Sequence, residues 1–228
     1  MGAVALLSGG LDSTVATAWA VRNGGVDLAL TVDYGQRCAA RERTAAALVA
    51  SHLEVDHRLV EIPFLRDLGG SALTDRSAVL PSLARNDLDD RPKADDAARA
   101  VWVPNRNGLL VNVAACWAEA IGAARVVVGF NAEEAGSFPD NSDDFVAALS
   151  AALAYSTGNK VEVESPLGGR NKTELVKLGL EVGAPLELIW SCYGSGETHC
   201  WQCPSCQRLK RALEENGILE SFQRRRDR

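Results

Sequence analysis

Short apolar runs alternate with stretches of helical periodicity from the start of the chain. Ala3 to Leu7 reads as a buried strand, Thr14 to Val21 as a helix and Leu28 to Val32 as a second strand, with Asn23-Gly24-Gly25 punctuating the pair. Ala39 to Leu53 is Ala/Leu-rich and helical, and Arg58 to Ile62 reads as a third strand. The order repeats with a helix over Gly108 to Ile121, a strand over Arg125 to Gly129, a helix over Phe145 to Tyr155, a strand over Val161 to Glu164 and a helix over Thr173 to Val182. Strands alternating with helices predict an α/β fold whose parallel sheet is covered on both faces.

Between Pro63 and Val101 the periodicity fades. Asn86 to Asp96 is charged, contains Pro92 and is poor in apolar residues, so it reads as a mobile excursion. A loop of this length in a compact domain is either a lid or a disordered insertion.

Composition adds bounds. The 228 residues are 46% hydrophobic and 24% charged, which excludes a disordered chain, a collagen or a coiled coil. Acidic residues outnumber basic ones, 30 to 24, so no general attraction to a phosphate backbone is expected, and no stable nucleic-acid partner. The charge is uneven: residues 207–228 hold seven Lys or Arg against four acids and read as a solvated, fraying basic tail. The first residues run straight into a strand without a positively charged leader, and no apolar stretch is long enough for a membrane span, so a cytoplasmic protein is expected.

Ser8-Gly9-Gly10-Leu11-Asp12-Ser13 lies between the first strand and first helix, where an open parallel sheet places its ligand. Two glycines let backbone N–H groups approach an anion, two serines add donors, and the following helix contributes the positive end of its dipole. Asp12 is repulsive beside phosphates unless it holds a cation such as Mg2+ or caps backbone donors. The loop lacks the Gly-Lys-Ser/Thr ending of a Walker loop and the G-x-G-x-x-G spacing of dinucleotide binders.

Four of the six cysteines, Cys192, Cys200, Cys203 and Cys206, fall within fifteen residues. Four thiolates close a tetrahedral structural Zn2+ site, and the spacing also admits an iron–sulfur cluster. His199 is a neighbouring donor that four cysteines make unnecessary, and it reads as a neutral surface histidine. Cys38 and Cys116 read as small core residues of Ala-rich helices. The expected division is an α/β nucleotide-binding domain over residues 1–185 and a cysteine-rich segment over 186–228.

S-G-G-x-D-S after a first strand resembles the signature of the PP-loop ATP pyrophosphatases, which cleave ATP between the α and β phosphates and adenylate a carbonyl-type oxygen. Four further segments narrow the resemblance to the 7-cyano-7-deazaguanine synthase family. They are Asp33-Tyr34-Gly35-Gln36-Arg37, Val103-Pro104-Asn105-Arg106-Asn107, Phe138-Pro139-Asp140 and Trp190-Ser191-Cys192-Tyr193.

The resemblance implies a Rossmann-like open sheet of the adenine nucleotide alpha hydrolase type with a C-terminal zinc-binding helical appendage. It also implies a cytoplasmic carbon–nitrogen ligase, similar to known homodimers, that uses ATP, Mg2+, ammonia and 7-carboxy-7-deazaguanine. ATP would meet Leu7, Ser8, Gly9, Gly10, Leu11, Asp12, Ser13, Thr14 and Arg37. The deazaguanine would meet Arg106, Asn107, Phe138 and Asp140, and Asp12, Arg106 and Lys172 would serve catalysis.

Physical readings stand beside these roles. Arginines at 37 and 106 suit bidentate recognition of phosphate or carboxylate. Asp140 can accept from the ring N–H and exocyclic amine of a guanine-like face, or be a turn residue after Pro139. Asn171 to Glu174 reads as a helix start with Asn171 as N-cap, so Lys172 opens a late helix. Asn105 and Asn141 depart from the family, which commonly has glycine at the first position and cysteine at the second. Another PP-loop enzyme that adenylates a deazaguanine or tRNA acceptor, or a zinc-containing binding module, are the competing readings.

Overall fold

The computed structural model describes residues 2–226. Five strands form one parallel sheet: β1 (Ala3–Leu6), β2 (Leu28–Asp33), β3 (His57–Glu61), β4 (Arg125–Val127) and β5 (Glu162–Glu164). Their spatial order is β3-β2-β1-β4-β5. From β1 the chain steps outward through α1 (Leu11–Arg22) to β2 and through α2 (Ala39–His52) to β3, then returns to the other side of β1 to place β4 and β5. The direction of winding therefore reverses between β1 and β4, and a Rossmann-like sheet opens its ligand crevice at the carboxyl ends of such a pair.

Both faces of β1 are buried, which explains its run of apolar residues without polar alternation. Ala3 and Ala5 face a core shared with Leu11 and Val15 of α1 and with Leu175 and Val176 of α8 (Lys172–Val182). Val4, between them, faces the opposite core with Leu30 of β2 and with Val111 and Ala114 of α5 (Arg106–Ile121), where α7 (Asp143–Ser156) adds Leu153. Register places Val4 opposite Leu28 on one side and Val126 on the other.

Residues 63–101 are more ordered than their sequence suggests. After the short α3 (Phe64–Asp67), Leu65, Leu73, Val101 and Val103 pack around Tyr34, and α4 (Arg91–Val101) occupies much of the stretch expected to be a mobile excursion. Asp90 caps α4 by accepting from Lys93 N, and Pro92 lies in its first turn. Its buried face is Ala94, Ala97, Ala98 and Val101, with charged residues opposite. Alanines give too weak an apolar stripe for periodicity to stand out.

The C-terminal helices α9 (Pro204–Glu215), which carries Cys206, and α10 (Leu219–Arg226) follow the other three cysteines of the cluster, and α6 (Ala132–Ala135) follows β4. Leu209 and Leu213 of α9 and Phe222 of α10 join the core beneath α1 and α8. The expected solvated tail is corrected here for Arg208 and Arg211: Arg208 is 5% exposed and lies 3.2 Å from Glu133, while Arg211 pairs with Glu133 at 2.8 Å and Asp89 at 3.0 Å. The end of the tail, Asp227 and Arg228, lies outside the described residues. Cys38 is buried, but Cys116, expected in the core, is on the exposed side of α5. Among the described residues, no helix is long and apolar enough to cross a membrane.

Candidate functional site

The glycine loop closes on itself at the carboxyl end of β1. Ser8 N donates to Ser13 Oγ at 3.2 Å, the two hydroxyls lie 3.0 Å apart, and Ser13 Oγ donates to Gly10 O at 3.3 Å. Gly10 occupies the N-cap of α1 with no side chain capping it, so the amino end of this helix opens into the crevice. Gly9 has φ +79°, and a Cβ there would stand 2.7 Å from Ala46 N and 2.9 Å from Glu42 O, so glycine lets α2 pack directly on the loop. Gly129, just past β4, approaches from the other side: its Cβ would meet Ser13 N at 2.7 Å and Asp12 C at 2.8 Å.

Asp12 and Lys172, far apart in sequence, meet beside this loop. Lys172 is 6% exposed, with Nζ 2.5 Å from Asp12 Oδ2 and 3.0 Å from Glu134 Oε1. Asn171 and Glu174 form the expected capping box, and Lys172 N donates to Glu133 Oε2 at 2.9 Å, so the lysine is fixed at its helix start. Glu134 is positioned by α6, whose N-cap Asn131 accepts from Glu134 N at 3.1 Å. Burial alone would raise Glu134, but Lys172 and Arg208 more than offset it and hold the carboxyl down at about 2. Burial pushes Asp12 up while Lys172 opposes it, and Asp12 Oδ1 is buried without a partner among the described residues. An orphaned carboxylate oxygen beside an anion cradle fits a Mg2+ ligand, hard oxygen being that cation's preferred donor.

Above the loop the cavity has two lobes, each of about 220 Å³. One runs over the sheet between Leu6, Leu30, Val32, Leu110 and Phe130. The other is walled by Leu73, Val101, Phe138, Trp190 and Tyr193. Ser8, Asp12, Glu42, Arg106 and Asn141 border both.

Arg106 opens α5, donates to Tyr34 Oη at 3.4 Å and to Asn107 Oδ1 at 3.1 Å, and lies 5.7 Å from the Tyr34 ring centroid. Asn107 in turn donates to Asp140 O at 3.3 Å. Phe138 stacks on Trp102 with ring centroids 6.3 Å apart.

Three expected site residues stand elsewhere. Arg37 donates to the carbonyls of Ala72, Ala78 and Arg76 at 2.9–3.2 Å, so its guanidinium clamps the 72–78 loop and borders neither lobe. Thr14 is fully buried within α1. Asp140 also borders neither lobe, and its carboxylate accepts from Asn141 Nδ2 at 3.2 Å, leaving Asn141 at the cavity wall.

The sulfur atoms of Cys192, Cys200, Cys203 and Cys206 lie within 4.8 Å of one another, with Cys200 and Cys206 3.9 Å apart. Four sulfurs bound to zinc stand roughly 3.8 Å apart, so the donor set fits a closed tetrahedral site. Backbone N–H groups of Gln202 and Cys203 donate to Cys200 Sγ at 3.4 and 3.3 Å. His199, expected at the surface, is 4% exposed: its Nε2 accepts from Ser191 N at 3.1 Å, and its ring packs between Trp190 and Trp201.

The model of the queuosine biosynthesis protein QueC family matches residues 2–217. The chain belongs to this family. It is 50% identical over 218 residues to the 7-cyano-7-deazaguanine synthase of Pelotomaculum thermopropionicum, covering 96% of this chain and 99% of that protein. Identity is 51% over 217 residues to the synthase of Desulforudis audaxviator, covering 95% and 98% of the two chains. It is 44% over 223 residues to that of Methanosarcina mazei, covering 96% of each.

Asn105, expected to depart from the family pattern, has φ +50°, and asparagine is among the few side chains that accept this left-handed conformation. Glu42 and Glu134 border the site without having been singled out in the sequence. The Asn131-x-x-Glu134 cap was a legible helix start, but nothing in it pointed to Lys172.

Proposed function

We propose that the chain is a 7-cyano-7-deazaguanine synthase, which joins 7-carboxy-7-deazaguanine and ammonia at the expense of ATP. The observation that carries this reading is the Asp12–Lys172–Glu134 cluster that borders the cavity with the glycine loop at the β1/β4 switch point, in a QueC family member. A carboxylate is a poor electrophile. Its oxygen attacks the α phosphorus of ATP, giving an acyl adenylate and pyrophosphate; ammonia displaces AMP to give the amide; a second adenylation, on the amide oxygen, lets loss of AMP leave the nitrile.

In this reading the N–H groups at the start of α1 and the Ser8 and Ser13 hydroxyls hold the departing pyrophosphate. Lys172, at the wall of the same cavity, adds positive charge. Arg106, fixed by Tyr34 and Asn107, orients the substrate carboxylate bidentately, and Phe138 offers a ring face to the deazapurine. Asp12, with its unpartnered Oδ1, would hold Mg2+, which would supply charge neutralisation at the phosphates. Cys192, Cys200, Cys203 and Cys206 hold zinc in a structural role, and two copies associate as a homodimer.

The experiment is incubation of the protein with ATP, Mg2+, ammonium and 7-carboxy-7-deazaguanine, with AMP, pyrophosphate and the nitrile followed by mass spectrometry. Nitrile and AMP are expected, with the rate lowered by about 10²–10³ in Asp12→Ala. AMP without nitrile would point to another acceptor, and absence of both would overturn the reading. Sedimentation of the same preparation tests the dimer.

A further inference from the structure

Forming an amide requires a nitrogen lone pair, and at neutral pH ammonia is almost wholly ammonium, which has none. A site that takes up ammonium, the abundant form, must therefore remove a proton before the nitrogen can attack the acyl adenylate. The identity of that acceptor deepens the proposed function and rests on it.

Most acids and bases at the cavity are already committed. Asp12 and Glu134 share Lys172, and Glu134 is held too low to be an effective base. Asp140 accepts from Asn141 and borders neither lobe. No histidine is among the described residues that border either lobe. Burial pushes the Tyr34 and Tyr193 phenols up and keeps them protonated, and Cys192 belongs to the metal set.

Glu42 is the remaining carboxylate. It stands in the first turn of α2 and borders both lobes, at the junction where an adenylate joining the two substrates must lie. Among the described residues it forms no ion pair with a lysine or arginine; Arg106 acts on it only at longer range. Its orientation is fixed: Gln36 Oε1 accepts from Tyr34 N at 2.9 Å, which turns the Gln36 amide so that Nε2 donates to Glu42 Oε2 at 2.6 Å. The Cys38 thiol provides a second contact. Burial raises Glu42 above the ordinary carboxylate range, with Asp33 adding to the effect and Gln36, Cys38 and Arg106 opposing it, so it is a stronger base than a surface glutamate.

We propose that Glu42 is the ammonium site of this enzyme: its carboxylate binds the cation in the cavity and takes the proton that frees the nucleophile. The proton passes from ammonium to a Glu42 oxygen, and the released lone pair forms the C–N bond to the acyl carbon. As the intermediate collapses, the C–O bond to AMP breaks with its electron pair on the phosphate oxygen. The attacking nitrogen then loses a second proton to that phosphate, leaving amide and AMP.

Hydroxylamine tests this role, because at neutral pH it is already unprotonated and gives a hydroxamate without needing a base. In Glu42→Gln, kcat/KM for ammonium is expected to fall about 10²–10⁴-fold while that for hydroxylamine falls less than about tenfold. The ratio is taken within one protein, so a partly unfolded preparation does not alter it, and Glu42→Asp is expected to recover part of the ammonium rate. Equal losses for both nucleophiles, or an unchanged ammonium rate, would overturn the role of Glu42 while pyrophosphate release still upholds the synthase reading. A wild type that releases no pyrophosphate with this substrate would overturn both.

Discussion

Lys172 is held between two carboxylates: with Arg208 it keeps Glu134 charged, and it opposes the burial that pushes Asp12 up. Removing its ammonium leaves Asp12 and Glu134 repelling each other, with only Arg208 still opposing the burial of Glu134. Lys172→Ala is therefore expected to lower stability by about 3–5 kcal/mol, measured as a shift in the urea midpoint, besides losing ATP cleavage. The pH dependence has a definite sign. Glu134 is at about 2 in the folded chain against an ordinary 4.5, so the unfolded chain takes up the proton first as the pH falls. Its contribution, on the order of 3 kcal/mol, is complete above the ordinary value and is lost as the pH falls through that window. Asp12, raised by burial, works in the opposite sense and makes the wild-type acid limb shallower than Glu134 alone would. Glu134→Gln should flatten the limb further when urea unfolding is compared at about pH 3 and about pH 7; a limb as steep as wild type would mean that the pairing adds no stability.

At the scale of elements, legibility followed the continuity of the apolar run. β1 and β2 are nearly unbroken apolar runs and stood out, whereas α4 buries alanines spaced singly or in a pair and was hidden among charges. Local chemistry was equally readable where it was contiguous: the Asn171–Glu174 capping box and the four cysteines both fell within one short segment. His199 was misplaced at the surface, and the contacts of Arg37 were hidden, because their partners, the Ser191 N–H and three loop carbonyls, exist only after the chain has turned back on them. The same dependence makes Gly129 a sensitive position. A methyl group there meets backbone atoms of Asp12 and Ser13 that cannot swing aside as a side chain could. Gly129→Ala is expected to cost about 1–3 kcal/mol in melting experiments and, by displacing the loop, to slow pyrophosphate release about 10²-fold. A normal rate would mean that β4 and the loop can separate without disturbing the phosphates.

In the whole molecule, the crevice opens where the strand order reverses, and no periodicity along the chain encodes that order. Motifs located the segments that meet there, but the two walls of the outer lobe come from stretches whose packing they did not reveal: Leu73 and Val101 on one side, Trp190, Tyr193 and Leu209 on the other. The second wall depends on the cysteines. Cys203 supplies one sulfur and is also the N-cap residue of α9, and one to three turns further on that helix Leu209 and Leu213 enter the main core. Arg208 and Arg211 then grip Glu133, whose neighbour Glu134 holds Lys172. Loss of the metal should therefore reach the nucleotide loop through α9 without any cysteine touching a substrate. Cys203→Ser keeps a side chain able to cap the helix but removes a thiolate, so it is expected to lose zinc and several kcal/mol of stability. Hydrogen exchange should then show α9 and the first turn of α8 losing protection together, with ATP cleavage declining in step. A zinc-free variant with normal unfolding and undisturbed exchange in α8 would show that packing of Leu209 and Leu213 holds α9 in place by itself, and that the ion pairs on Glu133 follow the core rather than the metal.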